Sequence, residues 1–161
     1  SPPMQIRPAV SSDIPAIATL LNALNAFEGY AARTEEEALR EALFAPVREV
    51  AFQALVAEGS AGAMLGVLLY YPGYDTLSAA GGYHLADLVV EEAARRQGVG
   101  RRLMQALAQQ ALREQKQWVS LTVLEKNRDA AAFYAQLGMQ PVAVDFWAIG
   151  PRGLAALGGG A

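Results

Sequence analysis

The stretch Leu85-Ala86-Asp87-Leu88-Val89-Val90 followed by Arg95-Arg96-Gln97-Gly98-Val99-Gly100-Arg101-Arg102 carries the strongest chemical signal in the chain. Gly98 and Gly100 lack Cβ, so the backbone can turn tightly and present successive N–H groups to a ligand. A helix that starts there adds unpaired N–H groups and a partial positive charge, which together bind anions. Four of the 13 basic residues lie between positions 95 and 102, although the net charge is −3. That concentration suits a pyrophosphate. A capped turn with solvated arginines explains Gly-x-Gly alone equally well. Asp87 sits in a Leu/Val strand, where a charge needs a task or a partner; an edge-facing or salt-bridged aspartate stays open. Tyr134 shares a helical stripe with Phe133 and Leu137 and by itself reads as core. Glu28 reads as a solvated helix end, and His84 as a strand residue with no catalytic role.

Composition narrows the chemistry. The 161 residues contain no Cys and one His. These counts exclude a thiol nucleophile, a thiolate zinc site, a disulfide framework and an HExxH metal site. We expect no metal. The negative balance argues against a nucleic-acid partner. No Gly-Lys-Ser/Thr loop occurs, and Leu103 replaces the third glycine of a dinucleotide fingerprint. The longest apolar run, 61–71, is short of the ~20 residues a membrane span requires. The N-terminus lacks a basic lead-in to an apolar run, so the expectation is a cytoplasmic protein without a membrane partner.

The elements that must position these residues follow from periodicity. Ile6 opens a strand, and Ser11-Ser12-Asp13 offer caps for a helix with Ile14, Ile17, Leu21 and Leu24 on one face. Thr34 and Glu37 read as a capping box for a second helix ending before Pro46. Val50–Glu58 and Met64–Tyr71 form a hairpin about residues 59–62, closed by Pro72-Gly73. Tyr83–Val90 is another strand, and Leu103, Met104, Leu107, Ala111 and Leu112 mark a long helix. Trp118–Leu124 and Val142–Ile149 read as strands. Between them a helix carries Ala130, Phe133, Tyr134 and Leu137, with Gly138 as its C′ residue. The expected fold class is α/β (α+β in some schemes): one domain over residues 4–152, a mixed, mostly antiparallel sheet with helices on both faces, and a tail over 153–161.

Arg95-x-x-Gly98-x-Gly100, then Asn127 seven residues before Tyr134, then Leu137-Gly138, resembles the GNAT superfamily of acyl-CoA N-acyltransferases. The resemblance runs from Ile6-Arg7-Pro8-Ala9 to Trp147. Phe27-Glu28, Tyr70-Tyr71-Pro72-Gly73-Tyr74-Asp75 and Leu85-x-Asp87 are similar to the diamine (spermidine/spermine-type) acetyltransferase branch. Ala86 departs from that branch, which has Glu there, and so removes a carboxylate.

The resemblance implies acetyl-CoA as co-substrate. Leu88, Val89 and Val90 would bond its pantetheine arm. Arg95, Arg96, Gln97, Gly98, Val99, Gly100 and Arg101 would cradle its pyrophosphate, and Asn127, Asp129, Ala130 and Tyr134 would contact its other side. Tyr134 would serve as general acid and Asp87 as the proton acceptor, with Phe27, Glu28 and Asp87 facing the amine. The implied reaction is direct acetyl transfer to a primary amine of a small molecule, a diamine, polyamine or lysine analogue, by a homodimer. A protein or peptide acceptor and a non-catalytic CoA-binding sensor are the rival readings.

Overall fold

The computed structural model describes residues 3–31 and 33–159. The ends of the expected tail and of the N-terminal segment, residues 160–161 and 1–2, lie outside the described residues. The chain divides into two compact units, Ser1–Thr122 and Val123–Ala161.

The first unit is a five-stranded sheet in the order β1 (Gln5–Pro8), β2 (Gln53–Glu58), β3 (Met64–Asp75), β4 (Ala80–Val90) and β5 (Val119–Ser120). Its first four strands pair antiparallel, and β4 and β5 pair parallel. Three helices accompany it: α1 (Ile14–Phe27), α2 (Glu36–Phe44) and α3 (Val99–Arg113). Alternation along β3 splits the sheet into two faces. Val67 and Leu69 join Val56 in a core with Ile14, Ile17, Leu21, Leu39 and Leu43 of α1 and α2. Tyr70, the next residue, points the other way, where its hydroxyl accepts from Gln110 Nε2 of α3 at 2.8 Å. Helices on both faces of a mixed, mostly antiparallel sheet are as expected.

Several boundaries differ from the periodicity. Strand β3 runs through Pro72 and Gly73 to Asp75. Its pairing with β2 ends at Tyr70, so Pro72 has only β4 beside it, and a residue without an N–H is tolerated at such an edge. Thr34 does not cap α2, whose N-cap is Glu35 without a side-chain bond. The Thr34 backbone is clamped instead by Asn22, whose Oδ1 accepts from its N–H at 2.7 Å. Asp13 is the N-cap residue of α1 but makes no side-chain cap bond to it. Its carboxylate takes both ends of the Arg7 guanidinium, at 2.7 and 3.0 Å, and accepts from Val10 N–H at 2.8 Å. Arg7 Nε reaches Glu58 at 2.8 Å, so one guanidinium joins β1, β2 and the turn into α1. Leu112 is exposed, whereas Leu103, Met104, Leu107 and Ala111 are buried as the stripe predicts.

The second unit holds α4 (Arg128–Gln136) and α5 (Pro151–Leu157). Ala130, Phe133, Tyr134 and Leu137 are less exposed than the residues between them, which keeps the predicted stripe, and Gly138 (φ +94°) ends the helix. Val142–Ile149 forms no strand. Alternation records only a tendency to extend, and this unit's described residues include no strand to pair with. Helix α5 runs across residue 152, so residues 153–157 of the expected tail are helical. Among the described residues no helix is long and apolar enough to cross a membrane.

Gly73 and Gly82 face each other across β3 and β4, and the Trp118 indole lies over them. A Cβ at Gly82 would fall 2.0 Å from Trp118 Cδ2. Gly82→Ala is therefore expected to cost about 1–3 kcal/mol by overpacking, read as a lower urea midpoint with an unchanged slope. Adding Trp118→Leu should recover most of the loss.

Candidate active site

Strand β5 pairs with Tyr83 and His84, so among the described residues of the first unit the outer edge of β4 from Leu85 to Val90 has no partner strand. Its inner edge is held by β3, with Leu88, Val89 and Val90 opposite Leu68, Val67 and Gly66. Backbone N–H and C=O groups along that open edge are available to an extended ligand. Leu88 and Val90 are half-buried and Val89 is buried.

The chain then turns through Glu92–Ala94, where the Glu91 carboxylate accepts from Ala93 N–H at 2.7 Å. Arg96 (φ +64°) and Gly98 (φ +78°) are both left-handed, and Gly98 is the N-cap of α3. A non-glycine residue in that region costs of order 1 kcal/mol, so the turn holds Arg96 under strain. The first intrahelical bond runs from Arg102 N–H to Gly98 C=O at 3.0 Å. The N–H groups of Val99, Gly100 and Arg101 precede it and have no partner in the helix. Buried Val99 and Leu103 anchor this end of α3 on the sheet, while Arg95, Arg96, Gln97, Gly98 and Arg101 stay exposed. Arg102 turns away, with Nη2 3.4 Å from Met4 C=O. Such a cradle has the donors and the positive end a diphosphate requires.

Asp87 pairs with Leu69, a member of the α1/α2 core, and so lies on that face of the sheet. Burial pushes its carboxyl up, and the negative field of Glu28, at the end of α1, adds to the effect. The structure thus brings Glu28 to Asp87. Phe27, the last residue of α1 and the neighbour of Glu28, is 71% exposed.

In the second unit Asn127 Oδ1 accepts from Ala130 N–H at 3.1 Å, so this side chain caps α4 and uses the Ala130 donor. Asp129 is exposed in the first turn, and the Tyr134 ring meets Phe133 edge-on, 5.2 Å between centroids.

One group near Asp87 was not expected to matter. The β3–β4 register shifts between Leu69 and Tyr70: Asp87 faces Leu69, Leu85 faces Tyr70 and His84 faces Tyr71. Ala86 is the extra residue, exposed on the bulge. Three residues apart, Asp87 and His84 would point to opposite faces of a regular strand; the bulge puts them on the same one. His84 Nδ1 shares a hydrogen bond with Ser120 Oγ, and its ring lies 5.3 Å from Tyr71 and 4.9 Å from Trp118. No sequence signal marks such a bulge.

The profile of the acetyltransferase (GNAT) family matches residues 17–139, which is most of the chain and includes the β4 edge, the α3 cradle and α4. The chain belongs to that family. An uncharacterized N-acetyltransferase, YhfO, from Bacillus subtilis (strain 168) is 31% identical over 137 residues, 85% of this chain and 90% of the relative. An L-ornithine N5-acetyltransferase, NATA1, from Arabidopsis thaliana is 35% identical over 75 residues. That match spans 47% of this chain and only 33% of the relative's length. The integron cassette protein VCH_CASS6 from the mobile metagenome of V. cholerae has a TM-score of 0.79 at 21% identity, covering 96% of this chain and 97% of its own. That likeness is one of fold. As a GNAT acetyltransferase, the chain is of a family that uses acetyl-CoA as co-substrate, and the Arg95–Arg101 turn has the donor chemistry for its diphosphate.

Proposed function

We propose that this acetyltransferase moves the acetyl group of acetyl-CoA directly to a primary amine of a small molecule, a diamine, polyamine or lysine-like acceptor. The observation that carries this reading is the half-buried Asp87 paired with Glu28 beside the open edge of β4. Two carboxylates on one apolar face favour a cationic acceptor. Their field disfavours an anionic one.

An alkylammonium must lose a proton before its nitrogen can attack. With a pKa of ~10.4, the neutral fraction at pH 7 corresponds to a penalty of ~4–5 kcal/mol. Asp87, raised by burial and by Glu28, accepts that proton better than an ordinary carboxylate does. The amine lone pair forms the new C–N bond at the thioester carbonyl, the C–S bond breaks, and the nitrogen sheds its second proton to water, from which Tyr134 regains the one it gives to sulfur. Main-chain N–H groups of Leu88–Val90 polarise the carbonyl oxygen, and the amides and guanidinium groups of Arg95–Arg101 hold the diphosphate. Tyr134 supplies a proton to the departing sulfur. Asn127, Asp129 and Ala130 contribute the amide-rich start of α4 to cofactor binding. The chain has no cysteine, so no acetyl-cysteine intermediate is part of the route.

Calorimetry with coenzyme A and acetyl-CoA tests the cradle, and thiol release with spermidine, spermine, putrescine, lysine and a peptide tests the acceptor. Binding of both cofactor forms and release with the small amines are expected. Absence of affinity for either form would overturn the reading. Binding without release for any amine would favour the sensor, and release with the peptide alone would favour a protein acceptor.

A further inference from the structure

We infer that His84 is a specificity-determining residue that holds the second nitrogen of the acceptor while Asp87 and Glu28 hold the reacting one. The inference deepens the proposed transfer to a small amine and rests on it.

Spacing comes first. Asp87 and His84 stand opposite Leu69 and Tyr71 of β3, two residues apart on one face. A strand advances about 3.3 Å per residue, so the two positions are separated by about 7 Å along the sheet. The imidazole leans over Gly73, further still from Asp87, so a butane- or pentane-length spacer is the shortest that joins two nitrogens over this span.

Recognition chemistry follows from the ring's surroundings. Nδ1 is engaged by Ser120 Oγ, and Nε2 makes no hydrogen bond among the described residues. When Nδ1 carries the proton and donates it to Ser120, Nε2 presents a lone pair, which accepts from an ammonium. The ring also has a fixed position. A Cβ at Gly73 would lie 2.7 Å from Nε2 and 3.0 Å from Trp118, so the glycine leaves the space in which the imidazole lies down on the sheet. Trp118 is itself tied by its Nε1–H to Ala80 C=O at 3.0 Å. Tyr71 and Trp118 flank the imidazole and offer π-faces to a cation. Asp87 and Glu28 place two acidic groups on this face, and the Arg48 guanidinium is engaged by the Leu43 and Phe52 carbonyls. A second ammonium is the group that fits, and a carboxylate would meet their repulsion.

The test is a ratio. Thiol release is measured with putrescine against n-butylamine and with cadaverine against n-pentylamine, in the wild type, His84→Phe and His84→Gln. A hydrogen bond to a charged group corresponds to about 10-fold or more in kcat/KM, so the wild type should prefer each diamine by about that factor. In His84→Phe the ratio should fall towards one, and His84→Gln, which keeps an acceptor atom, should retain part of it. Should His84→Phe fail to fold, Ser120→Ala, which frees the imidazole, must lower the same ratio. An unchanged ratio in an active, folded variant, or a wild type indifferent to the second amine, overturns the inference alone. No release with any amine overturns the transfer reading as well. Lysine and ornithine beside the diamines separate the sources: a preference for the amino acids would place a carboxylate at His84 and sink the assignment.

Discussion

Asp87→Asn is expected to lower kcat by about 10²- to 10⁴-fold, the range for losing a positioned proton acceptor, while raising the thermal midpoint at pH 7. The two effects have one cause. Burial first, then the field of Glu28, raises the Asp87 carboxyl above its ordinary value. A raised folded-state pKa means that the fold binds this proton more tightly than the unfolded chain does. The stabilising contribution is complete below the unfolded value, about 3.9, and is lost as pH rises through the higher folded value. At neutral pH the ionised carboxylate therefore works against the fold, and the neutral amide removes that burden. Thermal melts of both proteins from pH 3 to pH 8 check the sign: the variant's advantage should shrink as pH falls and be gone at the acid end. A residue that served the fold would show the reverse, with the amide melting earlier at pH 7. Glu28→Gln removes the smaller cause and should shift the melts in the same direction by less.

The second large effect concerns stability alone. Arg7→Met should cost about 3 kcal/mol, the lower end for breaking a buried ion pair, because the Arg7 side chain is 24% exposed whereas that of Asp13 is 9%. For a chain of this size that is a drop of about 10 °C in the melting midpoint. The loss comes mainly from Asp13, left on a buried carboxylate with only Val10 N–H as donor. Hydrogen bonding to Arg7 holds the Asp13 carboxyl below the usual range. A lowered folded-state pKa stabilises above the unfolded value and is lost as pH falls through the folded one. The wild type should thus lose stability on acidification below about pH 4, and Arg7→Met should be much less sensitive in that window. Restoring neutrality with Arg7→Met and Asp13→Leu together should regain a good part of the loss, since an apolar pair of similar volume avoids the desolvation that the ions suffer. A midpoint for Arg7→Met within 2 °C of the wild type would show the network to be dispensable.

Local chemistry was legible in the residues themselves. The Gly98 turn, the helix behind it, and the stripe through Leu103, Leu107 and Ala111 depend on conformational preferences within a few neighbouring residues. Those preferences travel with the chain whatever it packs against. The amides that the start of α3 leaves unbonded and the family's pattern are of this kind.

What needed the folded sheet was the matter of which side chains share a face. Tyr70 and Tyr71 are adjacent, yet one is sealed under α3 and the other stands beside His84. The Ala86 bulge, which turns His84 to the side of Asp87, exists only because β4 must match β3 residue by residue. Strand pairing also ended β5 after Ser120 and carried β3 past Pro72. The Asp13 carboxylate was drawn from its expected cap bond by Arg7, six residues away, whose Nε is in turn held by Glu58 of β2. Register and pairing are properties of two segments at once, fixed by what each finds opposite it, so neither segment's residues could announce them alone.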